Sequence, residues 1–202
     1  MAWIVCKVWK GESITSGDTS QFLSIIKNDV NAVSFQLLLE GFRKMNLTEF
    51  SYKAKDTLGD LIQYTLTKFY NDKRVDVPMD IINISHTYHY KDEGKYVSLA
   101  DLVSKHKIFK SEDFWEASLI YSVQKANQGY DFHDERHSIE YGLVKDNYLR
   151  LLTLSFLEIA YNMIEFKLNR AKIGKLLGKY AEMYSLSEEN KNQIKNYLNE
   201  NS

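Results

Sequence analysis

Five histidines, a single cysteine and several paired carboxylates are the side chains of this 202-residue sequence that are equipped for covalent or metal-assisted chemistry. His133 and His137 stand four apart in His133-Asp134-Glu135-Arg136-His137. On a helix both would project from one side and could share a Zn²⁺. Zinc proteases with that spacing place glutamate directly after the first histidine as general base. Here that position is Asp134, one methylene shorter, and no third ligand is suggested by spacing. A solvated polar segment is therefore the better reading. His133 and His137 stay as metal candidates, and no cofactor is expected. His86 and His89, three apart beside Tyr88 and Tyr90, lie among apolar Ile82 and Ile84 and read as packed histidines. Cys6 sits between Val5 and Lys7. A nucleophilic thiol needs a lowered pKa and a nearby base, so Cys6 is expected to be a buried structural thiol. There is no Gly-x-Ser-x-Gly elbow, no Gly-x-Gly-x-x-Gly and no Gly-x-x-x-x-Gly-Lys-Ser/Thr loop. Glu112 with Asp113, and Glu188 with Glu189, read as acids that favour a helix start. The expectation is a protein that is not an enzyme. A small metal-dependent hydrolase using His133 and His137 is the alternative.

Binding residues are better represented. Lys167, Arg170, Lys172, Lys175 and Lys179 lie opposite an apolar stripe headed by Ile173. A basic amphipathic helix can lie on an anionic membrane or meet a partner. A solvated outer face is favoured, because charge elsewhere is balanced. Gly174 and Gly178 stand four apart in the same segment. Glycine inside a helix costs about 1 kcal/mol against alanine, so the pair suggests close approach of another helix. Aromatic residues make up 13% of the chain, with 14 Tyr, 10 Phe and 3 Trp. Tyr and Trp favour places with one wet and one dry side. The expected interaction surface comprises Trp115, Tyr121, Tyr130, Phe132, Tyr141, Lys172, Lys175 and Lys179, with Trp115 as much core as contact.

Positioning these groups falls to helices. The chain has one Pro and nine Gly, too few turn formers for an all-β fold. Apolar residues recur at i, i+3, i+4, i+7 throughout. Ile4 to Trp9, Phe22 to Ile26, Phe35 to Met45, and Leu58 to Tyr70 each make one face. Asp76 followed by Pro78 starts another helix. Lys91 to Lys95 reads as a loop. Ser98 with Asp101, Ser111 with Glu112, and Ser187 with Glu188 mark further starts. The stretch 126–146 is the most polar and least periodic, a long loop or hinge. After it comes the dominant core helix, Asn147 to Leu168. The fold class is all-α, with about eight or nine helices in a single domain over 1–202. Arg150, Glu158 and Glu165 interrupt the most apolar stretch and argue against a membrane span. Met1 to Lys7 lacks a basic signal region, and the lone cysteine fits a reducing compartment, so a cytoplasmic location is expected. Lys+Arg 26 against Asp+Glu 27 gives a net charge of -1, so there is no field of the kind that drives nucleic-acid binding.

Four segments, in order, resemble the helical domain of the SET-binding-factor pseudophosphatases of the myotubularin group, which also occurs in small stand-alone cytosolic proteins. Gly11-Glu12-Ser13-Ile14 with Phe22 and the Phe35 to Arg43 helix is similar to the family's opening. Ile84-Ser85-His86-Thr87-Tyr88 resembles its apolar stretch ending in Thr and an aromatic pair. Ile108-Phe109-Lys110 with Phe114-Trp115-Glu116-Ala117 looks like its linker and Phe-Trp helix. Asn162 to Leu168 with the Ser187 to Leu198 helix resembles its closing pair. The sequence departs in having only Lys91 to Lys95 where the family carries a long polar insert. It also shows no exchange-factor or phosphatase-like segment beside these four. The resemblance implies a non-catalytic helical module with protein partners in signalling, membrane traffic or cytoskeletal organisation. A structural subunit of a large cytoskeletal or membrane-associated complex is a further reading.

Overall fold

A computed structural model describes residues 2–128 and 139–200, with backbone alone at 29, 32 and 139–145. Among the described residues there are ten α-helices and one two-stranded hairpin, so the all-α class holds with slightly more helices than periodicity predicts. Helical spacing alone treats the chain as one domain; its contacts cluster into two compact units, Met1–Phe109 and Lys110–Ser202. None of the described helices is long and apolar enough to cross a membrane.

The first unit contains α1 (Ala2–Lys10), α2 (Ser16–Ile26), α3 (Asp29–Lys44), α4 (Lys55–Asn71), α5 (Asp76–Ser85), strands β1 (His89–Asp92) and β2 (Lys95–Ser98), and α6 (Leu99–Val103). Starts follow local chemistry. Thr15 and Asp18 form a reciprocal capping box on α2, with Thr15 Oγ1 accepting the Asp18 N–H and Asp18 accepting the Thr15 N–H. Asn28 caps α3 and Ser98 caps α6. The core is aromatic at one end. Trp9 stacks on Phe42 at 4.8 Å, meets Tyr88 edge-on at 5.2 Å, and donates its indole N–H to the Leu47 carbonyl at 3.0 Å. The Tyr88 hydroxyl, fully buried, donates to the Leu39 carbonyl. Burial raises its pKa far above the usual phenol range, so it stays protonated.

Several helix ends share one geometry. At α1, Gly11 takes φ +67 and the Glu12 N–H reaches back to the Lys7 carbonyl, the left-handed stop that glycine favours. The same six-to-one bond closes α3 through Leu47 to Phe42 and α4 through Arg74 to Phe69, but the left-handed residues there are Asn46 and Lys73. A non-glycine residue in that conformation costs about 1 kcal/mol or more, which tertiary packing offsets.

The expected loop Lys91–Lys95 is instead the tip of a hairpin, with His89 opposite Ser98 and Asp92 opposite Lys95. Glu93 at φ +48 and Gly94 at φ +82 give two consecutive left-handed residues, as a tight hairpin turn requires. Cys6 is exposed, not buried. Ile4, Val5 and Val8 share the inner face of α1, and Cys6 falls on the other side.

The second unit holds α7 (Glu112–Asn127), α8 (Ile139–Glu165), α9 (Arg170–Met183) and α10 (Glu188–Glu200). α8 begins well before the predicted Asn147 and packs against the other three. The predicted hinge 126–146 is thus helical at both ends, and its middle lies outside the described residues. Ser111 caps α7, Asn169 caps α9 and Ser187 caps α10. α8 and α9 end on Lys167 and Ser185, again left-handed without glycine.

Candidate functional site

The residues expected to form one binding surface take separate roles. Trp115 is 0% exposed and packs edge-on against Phe114 and Phe166 at 5.1 and 6.1 Å, so it is a core residue and not a contact. Tyr121 is half-buried on α7 with the Lys125 ammonium 5.9 Å from its ring. Tyr130, Phe132, His133 and His137 lie outside the described residues, and Tyr141 is described by its helical backbone alone. Among the described residues no group of three His, Cys, Asp or Glu could hold a metal.

The basic face of α9 meets the acids of α7. Lys172 Nζ lies 2.5 Å from Glu112, and Lys179 Nζ lies 2.5 Å from Glu116. The Tyr180 hydroxyl donates to the same Glu116 oxygen at 2.6 Å. These bonds hold both carboxyls below their ordinary range, Glu112 chiefly through Lys172 and Glu116 chiefly through Lys179. Lys175 adds its charge to the field at Glu112. Much of the predicted cationic patch is therefore matched within the chain. Gly174 and Gly178 are open: they line a cleft of about 120 Å³ facing Ile194 and Leu198 of α10, and a Cβ on either would meet nothing within 4 Å.

Two other surfaces are uncovered. Phe35, Gln36 and Leu39 face the core from α3. At 3.6 residues per turn, Val30, Val33, Leu37 and Gly41 fall within about 60° of the opposite direction. Val30 is 72% exposed and Leu37 58%. Beyond the helix end Met45 and Leu47 are 61% and 44% exposed. A Cβ on Gly41 would meet open space. α3 thus carries large apolar side chains on both sides, one set buried and the other bare beside Ser34 and Lys44. Met45, expected on the buried face, lies at the bare end.

In the second unit a cleft of about 520 Å³ opens between the N-terminal half of α8 and the start of α10. Leu149, Leu154 and Leu157 give it an apolar floor, and Thr153, Asn190 and Gln193 give it hydrogen-bonding groups. Leu154 remains 49% exposed. On its rim stand Asp146, Arg150 and Glu189, whose side chains take part in no ion pair among the described residues. Apolar floors with a few polar groups suit a peptide or small amphiphile. Val30, Val33 and Leu37, apolar residues on the side away from Phe35 and Leu39, were the sequence signal for the α3 surface; the cleft, built by residues from two helices, has none.

Compared with known proteins, the chain matches no protein-family model, no curated protein and no solved structure.

Proposed function

We propose that this chain is a non-catalytic helical interaction module that docks proteins in signalling, membrane-traffic or cytoskeletal assemblies. The observation that carries the reading is the bare apolar face of α3, where Val30, Leu37 and Met45 remain mostly in water. Large apolar side chains clustered on one exposed face mark surfaces that partners cover. The α8–α10 cleft supplies a second, concave surface. Engagement of Lys172 and Lys179 by α7 leaves less positive field for anionic lipid, which favours a protein partner. The resemblance of Phe114-Trp115-Glu116-Ala117 and its companion segments to the SET-binding-factor domain supports the choice of assemblies.

The test is affinity purification of the wild-type chain beside Leu37→Asp and the solvent-face control Asp60→Asn, with co-purifying chains quantified. Chains retained by wild type and control should fall by about fivefold or more with Leu37→Asp, as expected for losing the half of a leucine that a partner would bury. Equal recovery in all three would remove the basis of the proposal.

A further inference from the structure

His106 is 6% exposed, and both of its ring nitrogens are committed. Nδ1 accepts the backbone N–H of Ile108 at 3.2 Å. Nε2 lies 2.9 Å from Thr67 Oγ1 on α4. Thr67 donates its only hydroxyl hydrogen to the Gln63 carbonyl at 2.8 Å, so towards His106 it accepts and Nε2 donates. Two independent bonds select the same neutral tautomer, hydrogen on Nε2 and lone pair on Nδ1. Gln63 in turn donates to the Leu102 carbonyl of α6 at 3.1 Å. The polar chain therefore ties the turn Lys107–Lys110 to both α4 and α6. That turn carries Ile108 and Phe109, each 1% exposed, and it is the last element before the contacts pass to the second unit at Lys110.

A second proton on this ring has only Nδ1 to occupy. There its N–H would face the Ile108 N–H, two donors with no acceptor between them, and the bond must open. The groups packed around the ring offer the cation no compensation. α4 presents the Thr67 hydroxyl at 2.9 Å, the turn itself presents the Ile108 N–H, and Phe109 lies edge-on at 6.2 Å. The charge that acts on the ring is Lys107 of the same turn, whose ammonium stands 4.9 Å from the Tyr70 ring of α4. Burial first, and then Lys107, hold the imidazole below its ordinary pKa.

We propose that His106 is an acid-sensitive latch: neutral, it pins the turn Lys107–Lys110 against α4; protonated, it releases Ile108 and the turn loosens from α4. The sign follows from linkage. The unfolded imidazole takes its proton near pH 6.5, whereas the packed ring takes it lower, so the latch is fully closed above that pH. Below it, opening becomes about tenfold easier per pH unit until the packed ring itself titrates.

Amide hydrogen exchange, corrected for the intrinsic pH dependence, tests this at about pH 7.5 and about pH 5.5. The Ile108 amide should lose protection in acid, by up to about tenfold, while amides of α9 keep theirs. His106→Asn places an oxygen acceptor near the Nδ1 position and cannot titrate, so Ile108 should stay protected at both pH values. Wild-type protection that ignores pH, or a His106→Asn chain that loses protection as wild type does, overturns the latch. If the variant does not fold, ring ¹⁵N shifts of the wild-type chain decide: the Nε2–H tautomer at neutral pH is required, and the Nδ1–H tautomer or the imidazolium there contradicts it.

Discussion

Replacing Gly174 and Gly178 by alanine should strengthen the second unit. Both residues lie in the interior of α9, both are exposed, and a Cβ on either finds open space. Neither takes a positive φ, so alanine adopts their backbone without strain. Each glycine costs about 1 kcal/mol against alanine in a helix interior, so the double variant should gain about 2 kcal/mol. A melt followed by circular dichroism and calorimetry reads it. A unit of about 60–100 residues shifts by about 4–8 °C per kcal/mol, and a chain of about 150–250 residues melting as one by about 2–4 °C. A rise of about 8–16 °C confined to one of two transitions would show that the second unit melts by itself. A rise of about 4–8 °C in a single transition would show one cooperative chain. A loss of stability would mean that another helix closes on Gly174 and Gly178 in solution, as their spacing alone suggests, and that the open space beside them is not real.

Lys167→Gly should stabilise by up to about 1 kcal/mol, because Lys167 holds the left-handed stop of α8 at φ +59, where glycine has no Cβ clash; a destabilised variant in urea titration would contradict it. Trp115→Ala should cost about 3–5 kcal/mol, the range for emptying a buried aromatic site. A cost under about 1 kcal/mol in the same titration would return Trp115 to the surface.

What was legible follows from how local the signals are. The apolar spacing of α4 and α9, and the serines before α6, α7 and α10, act within a turn or two of chain, and each appears where the sequence puts it. The ends at Asn46, Lys73, Lys167 and Ser185 were not marked, because left-handed stops there lack the glycine that signals them. The hairpin was hidden because its turn, Glu93-Gly94, lacks the Asn-Gly or Asp-Gly pair that most strongly announces one. Cys6 and Trp115 show the limit of local reading: apolar neighbours suggested a buried Cys6 that is exposed, and Trp115, read as both core and contact, is fully buried. The bare face of α3 was written in Val30, Val33 and Leu37, but telling a covered from an uncovered apolar face takes the tertiary arrangement. The cleft needs α8 and α10 side by side, with residues nearly forty positions apart meeting, and no local pattern encodes that.

The proposed function requires that a partner chain cover the outer face of α3. A photoactivatable side chain at position 37, introduced into the full chain in its native cells, tests it most directly, with position 60 on α4 as control. A covalent adduct to another protein is expected at position 37 and none at position 60. Equal labelling at both positions, or adducts to lipid alone, would contradict it.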